Sequence, residues 1–221
     1  MPARTIAIGD IHGCVAALEA LLSAIAPTPE DTIVTLGDYV NRGPDSRGVL
    51  DRLITLQSQC RLVSILGNHD QLFLECLTGR DRLKGVWLRM GGEATLASYG
   101  PKSEFSSVPK AHTEFLKNCR SYYETETHIF LHANYDSGLS MDRQQIEILR
   151  WESLRDAIPR AHFSGKTVIT GHSSQKGGEI LDLGYLKCID TFCYGGGWLT
   201  GLDVHSGMTR QFNRDGLPRT S

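Results

Sequence analysis

The chain alternates short apolar runs with longer stretches whose apolar residues recur at helical spacing. In the first third of the chain, the runs predict three buried strands, over residues 4–8, 32–36 and 61–66. The stretches that follow them predict three helices, over residues 15–25, about 46–57 and about 72–77. Strands that alternate with helices predict layers of sheet and helix, with ligands bound at the carboxyl ends of the strands.

The second half of the chain continues with strands and few helices. Apolar runs at residues 127–131 and 166–170 predict two more buried strands. Glycines then separate four short strands, which predict a second sheet or an antiparallel edge: residues 179–182, 186–190, 198–204 and 208–212. Between residues 79 and about 110, paired glycines and a serine-rich stretch break the pattern. We expect this segment to be an insertion that covers the active edge, or a plain surface excursion, within a single domain of residues 1–221.

Polar side chains follow the predicted strands directly. The first three strands end in Gly-Asp, Gly-Asp and Gly-Asn, and the next two lead into histidines. The candidate ligands at these strand ends are Asp10, His12, Asp38, Asn68, His132 and His172. One such Asp is as consistent with a helix cap as with a metal ligand. Because the carboxyl ends of the strands meet at one edge, five strand ends of the same chemistry indicate a metal centre.

The ligand types narrow the chemistry. Imidazole and carboxylate ligands without sulfur suit manganese, iron or zinc better than calcium. The carboxylate of Asp38 can bridge two such ions at about 3.5–4 Å, the separation found in two-metal phosphatases. Arg42, four residues later, can bind a phosphate through two parallel hydrogen bonds. The pattern therefore predicts metal-dependent chemistry on phosphate esters.

Composition and charge exclude several other classes. The formal net charge of −2 gives no basic surplus, so neither nucleic acid nor an anionic membrane is an expected partner. No apolar run approaches the length of a membrane span, and the N-terminus has no secretory pattern. None of the six cysteines forms a C-x-x-C pair, which argues against a zinc ribbon and favours reduced thiols. We therefore expect a cytoplasmic location.

The motifs in their order resemble those of the calcineurin-like metallophosphoesterases. They are Asp10-Ile11-His12, Gly37-Asp38-Tyr39-Val40-Asn41-Arg42-Gly43, Gly67-Asn68-His69-Asp70, His132 and Gly171-His172. The nearer resemblance is to the phosphoprotein phosphatase branch, which includes the bacterial and bacteriophage lambda serine/threonine phosphatases. The symmetrical diadenosine tetraphosphatases share most of these motifs. The resemblance implies an α+β fold of four layers, with two packed mixed sheets inside and helices outside.

The resemblance also implies a role for each site residue. Two divalent metal ions are implied, with manganese expected and iron or zinc as alternatives. The first ion would be held by Asp10, His12 and Asp38, and the second by Asp38, Asn68, His132 and His172. Arg42 would bind the substrate phosphate. A hydroxide bridging the two ions would attack phosphorus, and His69 would protonate the leaving oxygen as general acid.

The chain departs from the family pattern at two places. Asn41 stands where the family has an Asp that orients and charges the general-acid histidine, and Asp45 or Asp70 could take over that role. The second phosphate-binding arginine of the family has two candidates, Arg150 and Arg155.

Three functions remain open from the sequence. The first is hydrolysis of phosphomonoesters, with phosphoserine and phosphothreonine in proteins as the favoured substrates. The second is hydrolysis of a dinucleoside polyphosphate such as diadenosine tetraphosphate. The third is a metal- and phosphate-binding module whose catalysis is impaired by Asn41.

Overall fold

The structure, a computed structural model, describes residues 3–220, so residues 1, 2 and 221 of the expected domain lie outside it. The strands are Thr5–Ile8 (β1), Thr32–Thr35 (β2), Arg61–Ser64 (β3), Tyr122–Glu124 (β4), His128–Leu131 (β5), Thr167–Thr170 (β6), Leu181–Asp182 (β7), Leu186–Cys188 (β8), Asp190–Thr191 (β9), Trp198–Asp203 (β10) and Thr209–Phe212 (β11). The α-helices are Val15–Ile25 (α1), Ser46–Leu56 (α2), Asn68–Leu77 (α3), Lys84–Trp87 (α4), Glu93–Ser98 (α5), Lys110–Lys117 (α6) and Ile146–Trp151 (α7).

The strands form two mixed sheets. In the first sheet the order is β11-β10-β1-β2-β3, with β9 paired to β10; β1, β2 and β3 are parallel to one another. In the second sheet the order is β4-β5-β6-β8-β7, and β5, β6 and β8 are parallel. The parallel strands of each sheet therefore end together, which brings the strand-end motifs to two sheet edges.

Strand alternation separates the core into three apolar layers. Ile6 and Ile8 of β1 point to the helix-covered side of the first sheet, whereas Ala7 points between the two sheets. In β5, Phe130 faces the same inter-sheet layer, and its neighbours on either side face the outer layer with α7. This two-residue period places helix, sheet, sheet and helix in four layers. The expected α+β sandwich is confirmed.

The segment of residues 79–110 is more helical than expected. It contains α4, a π-helical turn over Leu88–Gly92 and α5 in near continuity, because the backbone bends only at Gly91, where φ is +93°. The indole of Trp87 is fully buried and stacks on Phe73 of α3, with ring centroids 5.0 Å apart. The segment thus packs on the first helical layer. No helix between residues 3 and 220 is long and apolar enough to cross a membrane.

At the opposite end of the first sheet, Asp31 ties the loop before β2 to the start of β1. Its carboxylate accepts hydrogen bonds from the backbone N–H, Nε and Nη2 of Arg4 at 3.0, 3.1 and 2.6 Å. It also accepts bonds from the backbone N–H and hydroxyl of Thr28 at 2.9 and 3.1 Å. The hydrogen bonds from Arg4 are the main reason that the pKa of Asp31 is lowered below its usual value.

We expect Asp31→Asn to lower the free energy of unfolding by about 1.5–3 kcal/mol, the usual contribution of hydrogen bonds to a charged group. Because the pKa of Asp31 is lower in the folded state, its stabilisation is complete above the unfolded value near 3.8 and is lost as the pH falls further. Urea unfolding of parent and variant at pH 7 and pH 3 measures both effects. Glu30→Gln, at the exposed neighbouring carboxylate, is the control; an equal loss there would contradict the prediction.

Candidate metal centre

Asp38 lies at the centre of the strand-end residues. Its Oδ2 is 3.3 Å from Nε2 of His12 and 4.0 Å from Nε2 of His69. Its Oδ1 is 3.5 Å from Nε2 of His132 and accepts the backbone N–H of His69 at 3.0 Å. The two carboxylate oxygens therefore face two different sets of imidazoles.

Two groups of donor atoms within 4.8 Å of one another contain Asp38. One is His12, Asp38 and His69, and the other is Asp38, His132 and His172. Asn68 joins the second group, because its Oδ1 lies 3.1 Å from both Nε2 of His132 and Nδ1 of His172. The structure thus brings together the side chains expected around a shared carboxylate.

Asp10 lies beside the second group and turns its carboxylate toward the backbone of His172. Both of its oxygens are 3.1 Å from that backbone N–H. The first group as placed therefore contains His69 where the resemblance implies Asp10. Asp10 is nevertheless close enough to Asp38 for the charge of Asp38 to raise the pKa of Asp10.

Backbone carbonyls orient the imidazoles. Nδ1 of His12 lies 2.9 Å from the carbonyl of Val40, and Nδ1 of His132 lies 2.8 Å from that of Leu36. For His172 the ring is reversed, with Nε2 at 3.2 Å from the carbonyl of Trp151. Each ring therefore uses one nitrogen for the backbone and turns the other to the cluster, as metal-ligating histidines do.

Glycines in the strand-end motifs make room for carboxylates from the neighbouring strand ends. A Cβ at Gly67 would overlap the carboxylate of Asp38, and a Cβ at Gly171 would overlap that of Asp10. The recurring Gly before a polar residue is therefore a packing requirement of the site. It explains why the glycines and the candidate ligands occur together in the sequence.

The backbone of the site is strained. Eight residues other than glycine have positive φ within residues 3–220, and five of them are predicted site residues. These five are His12, Asp38, Asn41, Arg42 and His172. Residues with a Cβ adopt this conformation at a cost, so the surrounding contacts must hold it in place.

Burial sets the electrostatics of the cluster. Burial, followed by the charges of Asp190 and Asp38, raises the pKa of Asp10 well above its usual range. Burial likewise raises the pKa of Asp38 to about 7 and lowers those of His132 and His172 to about 4 and about 3. Neutral imidazoles offer free lone pairs, and buried carboxylates favour a nearby cation. This donor set fits divalent metal ions of the manganese, iron and zinc type.

His69 is bonded to Asn41 and to neither of the alternative carboxylates. Nδ2 of Asn41 donates to Nδ1 of His69 at 2.9 Å, so the neutral ring carries its proton on Nε2. The Oδ1 of Asn41 accepts the hydroxyl of Thr95 at 2.9 Å, so the amide oxygen does not face the imidazole. Asp45 caps α2, and Asp70 accepts backbone N–H groups of both neighbouring turns.

Tyr194, which the sequence did not single out, holds Arg42. Its hydroxyl accepts Nη1 of Arg42 at 2.5 Å, and the guanidinium carbon lies 4.5 Å from the centre of its ring. The same ring meets His12 edge-on, with centroids 4.9 Å apart. The sequence signal was an aromatic residue before three glycines, which predicted only a turn.

A cavity of about 240 Å³ continues outward from Arg42 and Tyr194. Ala94 of α5 and Arg214, in the turn after β11, also line it. One residue of the segment 79–110 therefore reaches the space beside Arg42.

The two further arginine candidates differ in what they contact. Arg150 donates from Nη1 to Gln71 and from Nη2 to Ser121, while its buried Nε has no partner. Arg155 is exposed, donates to the carbonyl of Ser174, and is close enough to His172 and Asp190 to influence their ionisation. Arg155 is therefore exposed beside the cluster, whereas Arg150, whose charge also lowers the pKa of His132, is bonded to Gln71 and Ser121.

Asp190 is a second residue that the sequence did not single out. It is the first residue of β9 and is buried, and its carboxylate accepts hydrogen bonds from the hydroxyl of Ser174 at 2.6 Å and the backbone N–H of Phe192 at 3.0 Å. It is the last residue of the expected strand 186–190, but Ile189 and not a glycine precedes it, so the Gly-polar pattern of the other strand ends did not mark it.

A family profile described as calcineurin-like phosphoesterase matches residues 3–215. The chain belongs to this family. Its members use divalent metal ions, which agrees with the donor set around Asp38. The chain is thus a hydrolase of the metallophosphoesterase family.

The relatives that match the chain are named for two different activities. The chain is 26% identical over 200 residues to "Serine/threonine-protein phosphatase 1" of Salmonella typhimurium, covering 87% of this chain and 88% of that one. It is 47% identical over 88 residues to "Bis(5'-nucleosyl)-tetraphosphatase, symmetrical" of Acidovorax sp.. That second match covers 37% of this chain and only 31% of the relative's length.

Solved structures agree on the fold. The structure of a protein described as a "putative diadenosine tetraphosphatase" superposes with a TM-score of 0.73 at 24% identity, covering 100% of this chain and 96% of that chain. A cold-active protein-tyrosine phosphatase of a Shewanella species gives a TM-score of 0.64 at 17% identity, with 100% and 80% covered. At these identities the similarity concerns the fold.

Proposed function

We propose that this protein is a dinuclear metal-dependent phosphatase that hydrolyses phosphomonoesters, with phosphoserine and phosphothreonine in proteins as its substrates. The observation that carries this proposal is the position of Asp38 between two sets of imidazoles, with Arg42 beside one of them at 3.4 Å from Nε2 of His12. The similarity to a serine/threonine phosphatase over most of both chains supports the substrate class.

In this proposal each ion has its own ligands and Asp38 is shared. His12, Asp38 and Asp10 would hold one ion, and Asp38 with Asn68, His132 and His172 the other. His69, adjacent to Asn68, keeps its role as proton donor. When bound, two such ions neutralise charge on the phosphoryl oxygens and activate water at neutral pH.

The remaining residues bind and orient the substrate. Arg42, held by Tyr194, donates two hydrogen bonds to the phosphoryl oxygens and stabilises the charge that spreads over them. Arg155 is the better-placed second arginine, because its side chain lies near the cluster and is exposed. His69 presents its Nε2–H to the leaving oxygen, since its Nδ1 accepts from Asn41.

Asn41 favours a second candidate, the dinucleoside polyphosphates. Its amide cannot stabilise a protonated His69, and burial lowers the pKa of that imidazole further. A serine or threonine leaving group needs a proton, whereas a phosphate anhydride leaves as an anion of low basicity. The 47% identity to a tetraphosphatase over 88 residues points the same way.

A comparison of substrates on the manganese-loaded protein tests the proposal. We expect hydrolysis of p-nitrophenyl phosphate, and a kcat/KM for a phosphoserine peptide above that for diadenosine tetraphosphate. A kcat/KM for diadenosine tetraphosphate at least tenfold above that for the phosphoserine peptide would support dinucleotide hydrolysis instead. If none of the three substrates is hydrolysed with manganese, iron or zinc, both proposed activities are contradicted. That result would support the metal- and phosphate-binding module.

We expect about two divalent ions per chain in the parent and a loss of most of them in Asp38→Asn, because one carboxylate is shared between both ligand groups. Elemental analysis after loading and gel filtration measures the ratio, and activity should fall with it. Asp156→Asn, at an exposed carboxylate outside the site, is the matched control. One tight ion in the parent, or unchanged metal in Asp38→Asn, contradicts the dinuclear site.

We expect Asn41→Asp to raise turnover on an alkyl phosphate by roughly 5- to 30-fold. A carboxylate accepts the Nδ1–H of a protonated His69, and a charged hydrogen bond exceeds a neutral one by about 1–2 kcal/mol. Turnover on p-nitrophenyl phosphate should change little, because its leaving group hardly needs a proton. If Asn41→Asp changes turnover on both substrates by the same factor, Asn41 has no role in proton donation by His69.

A further inference from the structure

We propose that Gly91 and Thr95, here called the Gly91–Thr95 clamp, position the phosphate-binding and proton-donating residues of the site. This inference rests on the proposed function and adds two positioning residues to it. Neither residue belongs to a strand-end motif, and both lie in the segment 79–110.

The clamp bonds to two consecutive residues in an unfavourable conformation. Asn41 and Arg42 have φ of +72° and +70°, in the left-handed region that residues with a Cβ seldom adopt and that is rarer for Arg than for Asn. The carbonyl of Gly91 accepts the backbone N–H of Arg42 at 3.1 Å. The hydroxyl of Thr95 accepts the backbone N–H of Asn41 at 2.8 Å, the shorter of two bonds from that N–H, the other being to Oγ of Ser46 at 3.2 Å.

Thr95 also orients the side chain of Asn41. Its hydroxyl donates to Oδ1 of Asn41 at 2.9 Å, and the Oγ of Ser46 lies 3.0 Å from the same hydroxyl. With its oxygen bonded to Thr95, the amide of Asn41 turns its nitrogen toward His69. All three residues, Thr95, Ser46 and Asn41, are fully buried, so water does not replace these bonds.

Gly91 has no room for a side chain. A Cβ there would lie 2.9 Å from the backbone N, 3.0 Å from Cγ and 3.2 Å from Cα of Arg42. A larger residue would therefore push directly on the arginine that we place on the phosphate. Gly79 provides a matched comparison, because its φ is +92° and nothing lies within 4 Å of its Cβ position.

The clamp is fixed at both ends. Directly after Gly91, a Cβ on Gly92 would overlap the buried indole of Trp87, which stacks on Phe73 of α3, the helix that carries His69. At the end of α5, the hydroxyl of Tyr99 lies 2.8 Å from Nδ1 of His112. Nε2 of His112 is in turn 2.8 Å from the carboxylate of Asp51 in α2. The segment is thus anchored to both helices that follow the catalytic turns.

For Thr95 the test compares Thr95→Val with Thr95→Ser on two substrates. We expect Thr95→Val to lower turnover on an alkyl phosphate roughly 5- to 30-fold while changing p-nitrophenyl phosphate hydrolysis by less than about threefold. Thr95→Ser should restore the parent ratio. In an Asn41→Ala background, Thr95→Val should lower turnover on the alkyl phosphate little further, because Thr95 and Asn41 act through one contact.

For Gly91 the test compares Gly91→Ala with Gly79→Ala. Both substitutions carry the same backbone cost, so their difference reports the contact with Arg42. We expect calorimetry on the manganese-loaded protein to show inorganic phosphate binding about tenfold weaker in Gly91→Ala than in Gly79→Ala.

Amide hydrogen exchange of Asn41 and Arg42 in the zinc-loaded protein tests the clamp without catalysis. We expect at least about tenfold faster exchange of Asn41 in Thr95→Val, with the strand amides unchanged. If the parent hydrolyses neither substrate, the proposed function is wrong. The amide exchange rates and the phosphate affinities then test the clamp without reference to catalysis. Three results would overturn the clamp. They are unchanged amide exchange of Asn41 in Thr95→Val, equal losses of turnover on both substrates in Thr95→Val and Thr95→Ser, and identical phosphate affinity of Gly91→Ala and Gly79→Ala.

Discussion

The burial of carboxylates and imidazoles at one joint edge of two sheets is the constraint on which the site depends. Asp10 and Asp38 are almost inaccessible to water, and Arg42 is the cation of the chain that most affects them. Desolvation of this kind is costly unless charge is compensated within a few ångströms. The parallel strands β1, β2, β5 and β6 allow the arrangement because they end together, and the glycines at their ends let the polar groups approach.

The same constraint explains the strained backbone around the site. Residues in the left-handed backbone conformation turn their side chains and carbonyl groups in directions that an ordinary strand end would not allow. The positive φ of His12 and Asp38 lets the backbone carbonyl of Asp38 accept both N–H groups of Ile11 and His12, at 3.2 and 2.7 Å. Catalytic turns of this type need support from elsewhere, and here part of that support comes from a segment far along the chain.

The fold and the positions of the candidate ligands were predictable because they depend on local pattern. Apolar alternation marked the strands, and a Gly followed by a polar residue marked the strand ends, so Asp10, Asp38, Asn68, His132 and His172 could be placed at one edge. Tyr194, Thr95 and Asp190 could not be found in this way. Each acts on a residue at least 50 positions away in the sequence, and only the tertiary structure brings them to the site. The orientation of the Asn41 amide could not be predicted for the same reason, since Thr95 determines it.

The pairing of Asn41 with His69 bears on which bond this chain cleaves best. A neutral imidazole whose Nδ1 accepts an amide proton can donate its Nε2–H to a leaving oxygen in a hydrogen bond. Complete transfer of that proton to the leaving oxygen, however, lowers the reaction barrier little. Barriers then rise with the basicity of the leaving group, so an alkyl ester is affected far more than an anhydride or an aryl ester. Relatives named for two different activities match this chain, one at 26% identity over 87% of its length and the other at 47% identity over 37% of it. On the proposed function, the choice between the two substrate classes falls to the acid step and to the cavity beside Arg42, which Tyr194, Ala94 and Arg214 line.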